Sequence, residues 1–288
     1  MNPNPIVAVV RIALVLSILA SATLGQAQEG RHDAMMQAIT GNAPPPSGDA
    51  VNYFPSDPAT TGYLAMPEGE GPFPAVILIH EWNGLVDRVR QTADAFAEQG
   101  YIALAADLYS GRTGSNRDEN IELVREVRAA EATMVANLDA AVDWLEANTP
   151  ATGNVATIGW CFGGGIALSY ALGGDEHEGT AIFYGSLIDD PEQMKHIGHE
   201  VYGTFAANDR GIPVEEVNAF VTALREAGIE NDVHIYYNVN HGFWLHVDRD
   251  PENNEPAVRD VWRRLQEHLQ PCCDGPGPRT CAESHVAT

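Results

Sequence analysis

Short apolar runs alternate with stretches of mixed polarity over most of the chain. Ala75–Ile79 is apolar at every position, and such a run is typical of a strand that is buried on both faces. Similar strands are predicted at Tyr101–Ala106, Asn154–Trp160, Thr180–Tyr184, Val201–Ala206 and Val233–Tyr237. Because these strands alternate with amphipathic stretches, the pattern predicts an α/β fold in which helices cover both faces of a mostly parallel sheet.

The stretches between the strands predict the helices. Val86–Gln99 ends at Gly100, a residue suited to the left-handed conformation at a helix end. Asp118–Asn148 has apolar residues at helical spacing, which predicts one long helix. Before these elements, Val51–Phe54 and Thr61–Met66 alternate apolar with polar residues and predict an antiparallel pair. Further helices are predicted at Phe162–Leu172, Val214–Ala227 and Val258–Leu269.

The first residues resemble a secretory signal. Arg11 precedes an apolar run over residues 12–24, and the small residues that follow suit cleavage after Ala27. Residues 1–27 are therefore predicted to be a signal peptide, and the mature protein is expected to be secreted or periplasmic. A transmembrane anchor is the alternative, although the run is shorter than the roughly 20 residues that span a bilayer.

The rest of the chain divides into a polar N-terminal extension at residues 28–49, one domain at residues 50–270 and a polar tail at residues 271–288. Three of the four cysteines lie in this tail: Cys272, Cys273 and Cys281. The simplest disulfide joins the last of these to one of the first two, and the sequence leaves both pairings open.

The charge is strongly acidic. The chain has 40 acidic and 16 basic residues, for a formal net charge of −24. This excess disfavours nucleic acid as a partner. It also repels anionic small molecules, so an anionic substrate would require a local basic group. No membrane contact is expected after signal cleavage, and a monomer is favoured.

The candidate nucleophile is Cys161. It lies in Gly159–Gly163, a G-x-C-x-G segment between a predicted strand and a predicted helix. This is the form of a nucleophile elbow with cysteine in place of serine. The turn requires small flanking residues and places the sulfur at a helix N-terminus, which favours thiolate. A buried cysteine with a packing role only is the alternative for this motif taken alone.

An acid and a base follow at the ends of later strands. Asp209 follows Val201–Ala206 and His241 follows Val233–Tyr237, so the order Cys, Asp, His matches the order that this type of fold requires. His241 would move the proton, and Asp209 would orient its ring. The backbone N–H groups of Trp82 and Phe162 are the candidates for the oxyanion hole.

These motifs resemble those of the dienelactone hydrolase family over nearly all of residues 50–270. The resemblance implies the α/β-hydrolase fold and a glutamate, matched here by Glu81, that helps to form the thiolate. It also implies arginines that bind a substrate carboxylate, for which Arg112 is the candidate and Arg249 a loose match. The elements that carry the resemblance are His80–Gly84, Asp107–Tyr109, Gly159–Gly164, Asp209 with Pro213, and His241–Phe243.

Other side chains near these motifs have two interpretations each. Phe243 and Trp244 are candidates for an apolar substrate pocket, with core packing as the alternative. His80 is expected to be a hydrogen-bonded histidine at a strand end rather than a second base. His196 and His199 have a spacing that suits a metal, but no third ligand is evident, and neither a metal nor a cofactor is expected.

The expected function is hydrolysis of small carboxylic esters or lactones through a thioester on Cys161. Two alternatives stay open. One is a hydrolase of another acyl bond on the same fold, such as a thioester or peptide. The other is a secreted binding protein that no longer turns over, although such a protein would be expected to lack a member of the triad.

Overall fold

The computed structural model describes residues 34–175 and 177–273, the last three by their backbone alone. A single sheet contains eight strands in the order β1-β2-β4-β3-β5-β6-β7-β8. The pairs β1/β2 and β2/β4 are antiparallel, and every other neighbouring pair is parallel. The predicted α/β fold with a mostly parallel sheet is confirmed. The strands are β1 Asp49–Val51, β2 Gly62–Ala65, β3 Phe73–Ile79, β4 Ile102–Ala106, β5 Ala151–Trp160, β6 Gly179–Phe183, β7 Val201–Ala206 and β8 Asn231–Tyr236.

Helices cover both faces of the sheet. The first layer contains α1, α2 and α8, and the second contains α4, α5 and α7, with α3 packed on α4 and α6 on α7. A 3₁₀ turn at Val247–Arg249 precedes α8. The helices are α1 at residues 34–40, α2 Asp87–Glu98, α3 Arg117–Ala129, α4 Glu131–Asn148, α5 Phe162–Gly173, α6 Pro191–Met194, α7 Val214–Ala227 and α8 Pro251–Cys273.

Strand β3 shows why an uninterrupted apolar run is needed at the centre of this sheet. All residues from Ala75 to Ile79 are fully buried. Val76 and Leu78 pack in the core that contains α2 and α8. Ala75, Ile77 and Ile79 pack in the core that contains α4 and α5. Side chains alternate across a strand, so the side chains of β3 are buried between two helical layers on both faces of the sheet.

The single long helix predicted over residues 118–148 is wrong. The chain leaves helical geometry at Ala130, where φ is −121° and ψ is 48°. Asn116 caps α3 by accepting hydrogen bonds from the backbone N–H groups of Asp118 and Glu119. Of these two helices, α4 is the one that packs on β3, β4 and β5, whereas α3 buries only Asn120 and Leu123. The break therefore separates a helix that packs on the sheet from one that packs on its neighbour.

The predicted polar N-terminal extension belongs to the folded domain from residue 34 onward. Met35, Ala38 and Ile39 of α1 are fully buried in the core with α2 and α8. The guanidinium of Arg88 donates a 2.6 Å hydrogen bond to the carbonyl of Ile39. This helix was missed because it is short and lies in a stretch whose polar residues and prolines dominate its composition.

Two predictions concern residues outside the described part of the chain. The signal peptide at residues 1–27 lies there, and so does the tail disulfide, because neither Cys281 nor the side chains of Cys272 and Cys273 are described. Within the described residues, no helix combines the length and the apolarity needed to cross a bilayer.

A buried histidine cluster lies far from the strand ends that carry the candidate nucleophile. Thr180 Oγ1 lies 3.0 Å from His177 Nε2 and 2.8 Å from His199 Nε2. The ring of His177 stacks on Tyr170, with centroids 4.9 Å apart. Burial lowers the pKa of His177 to about 4 and that of His199 to about 3. Both imidazoles are therefore neutral in the folded protein at neutral pH.

This cluster predicts an acid-sensitive contribution to stability. The pKa of His177 is lower in the folded than in the unfolded state, so the contribution is complete above about pH 6.5 and is lost as the pH falls towards 4. Between pH 7 and pH 5, the wild type should lose about 2 kcal/mol more unfolding free energy than His177→Gln, which cannot titrate. Urea denaturation measures the difference. His196→Gln, a change on the surface, is the control, and equal losses in the wild type and His177→Gln would contradict the prediction.

Candidate active site

Cys161 occupies a sharp turn between β5 and α5. Its φ is 56° and its ψ is −115°, which lies outside the regions that non-glycine residues normally adopt. Its backbone N–H donates a 2.9 Å hydrogen bond to the carbonyl of Phe183, and its carbonyl accepts one from the N–H of Gly164. The thiol is free and only partly buried. These contacts hold the strained residue in place, with its sulfur at the start of α5.

The two glycines that flank the cysteine are required by close approaches of the backbone. A Cβ on Gly159 would lie 2.0 Å from the carbonyl oxygen of Gly163. A Cβ on Gly163 would lie 2.2 Å from the carbonyl oxygen of Ile79. Because both obstacles are backbone atoms, they cannot move aside. The structure therefore contains the elbow geometry that the G-x-C-x-G segment predicts.

Asp209 and His241 meet beside this turn. Asp209 follows β7 and His241 follows β8, and Asp209 Oδ2 lies 2.6 Å from His241 Nδ1. Asp209 is buried, and its other oxygen accepts a 2.8 Å hydrogen bond from the N–H of Gly211. The side chain of Cys161 lies close enough to His241 to favour the charged form of its ring. The structure thus brings together the three residues that the sequence predicted as a triad.

These contacts shift the pKa values of both partners. Burial opposes the charge on His241, but its hydrogen bond to Asp209 and its interaction with Cys161 outweigh this effect and raise its pKa to about 10. Burial also opposes the charge on Asp209 and on its own would raise the pKa of this carboxyl group. The hydrogen bonds from His241 and the backbone lower that pKa below its usual value. The arrangement therefore favours an imidazolium at neutral pH, held beside the carboxylate of Asp209.

Tyr184 is a site residue that sequence analysis missed. It directly follows β6, with φ of 39°, and its ring packs edge-on against His241 with centroids 5.0 Å apart. Its hydroxyl accepts a 3.3 Å hydrogen bond from the N–H of Leu245. Burial and the nearby Glu81 raise its pKa well above the usual value, so it is neutral. Its position in the sequence was the available signal. Tyr184 directly follows β6, a parallel strand between β5 and β7, so it lies at the same edge of the sheet as the residues that follow those strands.

The loop after β3 carries the candidate oxyanion donor Trp82. Fully buried His80 anchors this loop, because its Nδ1 lies 2.7 Å from the carbonyl oxygen of Glu81 and its Nε2 accepts the N–H of Leu108. Tyr109 donates a 3.0 Å hydrogen bond to the carbonyl of Trp82. Within the described chain, the N–H groups of Trp82 and Phe162 have no protein acceptor. They remain available to a ligand.

Glu81 has a partner that sequence analysis did not single out. Its Oε2 lies 2.6 Å from Nε2 of His246, and the two side chains are only 9% and 15% exposed. No hydrogen bond joins Glu81 to Cys161 in the described part of the chain. The carboxylate that the family resemblance places beside the thiol is therefore held by a histidine in this structure.

Two predicted substrate-binding aromatic residues are core residues instead. Trp244 is fully buried and stacks on Trp160, with ring centroids 5.6 Å apart and planes within 14°. Phe243 is equally buried and packs against Tyr184 and Tyr236. Their prediction as pocket residues is wrong because the chain turns inward directly after His241. Trp82, by contrast, is 38% exposed.

The two arginines have different surroundings. Arg112 pairs with Glu126 of α3, and its Nε donates to the carbonyl of Tyr109, so its predicted role in binding a substrate carboxylate is not supported. Arg249 is exposed, and a Cβ on Gly242 would lie 3.2 Å from its Nη1. In the described chain, no carboxylate forms an ion pair with Arg249. Arg249, the looser of the two sequence matches, is therefore the arginine that lies close to Gly242, the residue after His241.

A cavity and the two histidines that were considered as metal ligands lie outside this site. A cavity of about 670 Å³ lies between the N-terminal strands and α2, and Cys161 does not line it. His196 is on the surface, with Nδ1 2.9 Å from the carbonyl of Gln193, whereas His199 belongs to the buried histidine cluster. Within residues 34–175 and 177–273, no three histidine, cysteine or acidic side chains are arranged to hold a metal ion.

Comparison with known proteins identifies the group to which this site belongs. Residues 60–273 match the model of the dienelactone hydrolase family. The chain belongs to this family. The resemblance noted from its motifs is therefore confirmed, and hydrolysis of esters or lactones is supported as the activity of the family.

Related proteins support the same assignment. A candidate carboxymethylenebutenolidase of Methylorubrum extorquens is 30% identical over 224 residues, covering 73% of this chain and 76% of its own. The crystal structure of a candidate dienelactone hydrolase from Klebsiella pneumoniae is 25% identical, with a TM-score of 0.65 over 73% of this chain and 92% of its own. A dienelactone hydrolase-like promiscuous phosphotriesterase from metagenomic libraries shares the fold, at 24% identity and a TM-score of 0.68, covering 77% of this chain and 98% of its own.

The contact between Asp209 and His241 predicts an unusual titration in this member of the dienelactone hydrolase family. In the wild type, the His241 ring should lose its proton near pH 10. Asp209→Asn removes one negative partner, so the pKa of His241 should fall towards the ordinary value of about 6.5. NMR of the histidine ring protons measures both values, with His241→Gln to assign the signal. A His241 that titrates near pH 6.5 in the wild type would contradict this account.

Proposed function

We propose that this protein hydrolyses small carboxylic esters or lactones through a thioester on Cys161. The observation that carries the proposal is the position of His241, which is hydrogen-bonded to the buried carboxylate of Asp209 and lies close enough to the side chain of Cys161 for the two to interact. This arrangement supplies a nucleophile, a proton carrier and a group that orients the carrier. The strained elbow supports the same role, since an ordinary packing cysteine has no need of it.

The proposed reaction has two halves. The Cys161 thiolate attacks the acyl carbon, and the carbonyl electron pair moves onto oxygen, where the N–H groups of Trp82 and Phe162 bind it. The pair then returns, the carbon–oxygen ester bond breaks, and the alkoxide takes a proton from His241. In the second half, His241 removes a proton from water, the hydroxide attacks the thioester, and the carbon–sulfur bond breaks to release the acid.

Replacement of the nucleophile tests this proposal. Cys161→Ala should reduce the hydrolysis of p-nitrophenyl acetate by about four orders of magnitude, because the remaining groups only bind and polarise the ester. The change removes a single sulfur from a partly exposed position, so the melting temperature should stay within a few degrees of the wild type. A variant that melts normally and keeps its activity would overturn the thioester mechanism.

Arg249 supports a preference for substrates that carry an anionic group. Its guanidinium lies beside Gly242, the residue directly after His241, and no carboxylate neutralises it within the described residues. The net charge of −24 repels anions from the protein as a whole. An unpaired cation at the site would oppose this repulsion locally and could bind a substrate carboxylate in a bidentate manner.

A charge-removing variant tests this preference. Arg249→Gln should raise the KM for p-nitrophenyl hydrogen succinate, which carries a free carboxylate, by roughly tenfold, the factor expected for one charged hydrogen-bonding contact. The KM for p-nitrophenyl acetate should stay unchanged. Arg225→Gln removes the same charge from the last turn of α7 and is the matched control. Equal effects of Arg249→Gln on both esters would exclude selective recognition of the carboxylate.

We also propose that the protein is exported, with residues 1–27 as its signal peptide. The support is the basic residue, the apolar run and the small residues that precede Gln28. N-terminal sequencing of the protein from a host with a secretory system should find Gln28 as the first residue, and an intact Met1 would contradict the proposal.

A further inference from the structure

Arg88 joins the first helix of the domain to the segment that follows His241. It lies in the first turn of α2, and its side chain is largely buried. Its Nη1 lies 2.6 Å from the carbonyl oxygen of Ile39, 2.8 Å from that of Leu245 and 3.0 Å from a carboxylate oxygen of Asp248. The first of these oxygens belongs to α1, and the other two follow His241 in the chain. One guanidinium therefore links the two ends of the domain.

The contact with α1 is close. The carbonyl that Arg88 binds is one of the last in α1, and such carbonyls have no partner within their own helix. A Cβ on Gly41, whose φ is +78°, would lie 2.5 Å from Arg88 Nη2. The chain continues over α2, where Gln91 donates a 2.8 Å hydrogen bond to the carbonyl of Pro44. Residues 34–48, which we call the N-terminal segment, are therefore seated on α2 with the guanidinium beneath the end of their helix.

The contact on the other side leads to His241. Leu245 is fully buried, and only three residues separate it from His241. Its carbonyl accepts the hydrogen bond from Arg88, and its N–H donates one of 3.3 Å to the hydroxyl of Tyr184. The ring of Tyr184 in turn packs against that of His241, with centroids 5.0 Å apart. A shift of Leu245 would therefore reach His241 both along the chain and through Tyr184.

We propose that Arg88 is a positioning residue that ties the loop carrying His241 to the seated N-terminal segment. The proposal rests on the proposed function in that His241 is the proton carrier. Proton transfer requires hydrogen-bond distance, so a small displacement of the ring lowers the rate. The N-terminal segment lies outside residues 60–273, the part of the chain that matches the family. The inference gives this segment a role in the reaction.

The two carbonyl contacts, rather than the ion pair, are expected to carry the effect. The side chain of Asp248 is 47% exposed, and exposed ion pairs contribute little. The carbonyl of Leu245 belongs to a buried residue, and it would lose its charged donor in Arg88→Met. Asp248→Asn keeps an oxygen that can accept from Arg88 and removes only the charge. It should therefore change kcat/KM for p-nitrophenyl acetate by no more than about twofold.

Two variants disturb the link from opposite ends. Arg88→Met removes the donor and keeps an unbranched apolar side chain. Gly41→Ala removes no hydrogen-bonding group, but its methyl group would take the place of Nη2, so the guanidinium has to move. Its matched control is Gly228→Ala at the end of α7, where φ is +79° and a Cβ would meet no other described part of the chain within 4 Å. Arg90→Met removes the same charge from the same helix and is the control for Arg88→Met.

The first measurement is the NMR signal of the His241 ring protons, which depends on the distance and angle of the Tyr184 ring. Arg88→Met and Gly41→Ala should both shift this signal, and the double variant should shift it no further than Arg88→Met alone. The second measurement is hydrolysis of p-nitrophenyl acetate, for which kcat/KM should fall roughly tenfold in Arg88→Met because the proton carrier is misplaced. Gly228→Ala and Arg90→Met should match the wild type in both.

Melting temperatures separate positioning from stability. Gly41→Ala and Gly228→Ala place the same strain on a left-handed residue, so their melting temperatures should fall by similar amounts. If Arg88→Met does not fold, the comparison of these two alanine variants decides, because only Gly41→Ala disturbs the guanidinium.

The outcomes are distinct from those for the proposed function. If the His241 signal is the same in the wild type and in the folded Arg88→Met and Gly41→Ala variants, Arg88 contributes to stability alone and the inference is overturned. The NMR signal needs no turnover, so an absence of ester hydrolysis in the wild type would refute the proposed function and leave this result readable. Ester hydrolysis with an unchanged His241 signal would refute the inference alone.

Discussion

The close approach of α5 to β3 is the constraint on which the rest of the site depends. Gly163 lies so near the carbonyl of Ile79 that no side chain fits between them. Because β3 is buried on both faces, this contact fixes the start of α5 against the buried centre of the sheet. It places the sulfur of Cys161 and the N–H of Phe162 beside the loop that carries Trp82. Backbone strain at the cysteine is tolerated because the surrounding structure determines its position.

The order of the strands completes the site. The adjacent parallel strands β5, β6, β7 and β8 end at one edge, so the loops that follow them meet there. Each loop contributes one group: Cys161, Tyr184, Asp209 and His241. Two acidic side chains at this edge are hydrogen-bonded to histidines, Glu81 to His246 and Asp209 to His241. These two pairs bring groups that can carry a proton to the edge of the sheet where the reaction is proposed.

The sequence predicted the features that follow from periodicity and from strand ends. The parallel sheet follows from apolar runs, and the meeting of Cys161 with Asp209 and His241 follows from their positions after strands. Features that depend on side-chain packing were not predictable in this way. Trp244 has the same local sequence context whether it lines a pocket or the core. The break at Ala130 has no glycine or proline to mark it, and the Glu81–His246 pair joins residues 165 positions apart.

The most direct test of the central claim, that Cys161 is acylated during turnover, is mass spectrometry of the purified protein after rapid mixing with a slight excess of p-nitrophenyl acetate and acid quenching. Peptide mapping should place one acetyl group on the peptide that contains Cys161, and the adduct should disappear on the timescale of product release. A second sample is quenched early enough to precede deacylation. Release of p-nitrophenol without an acetyl group on this peptide at either time would contradict the account.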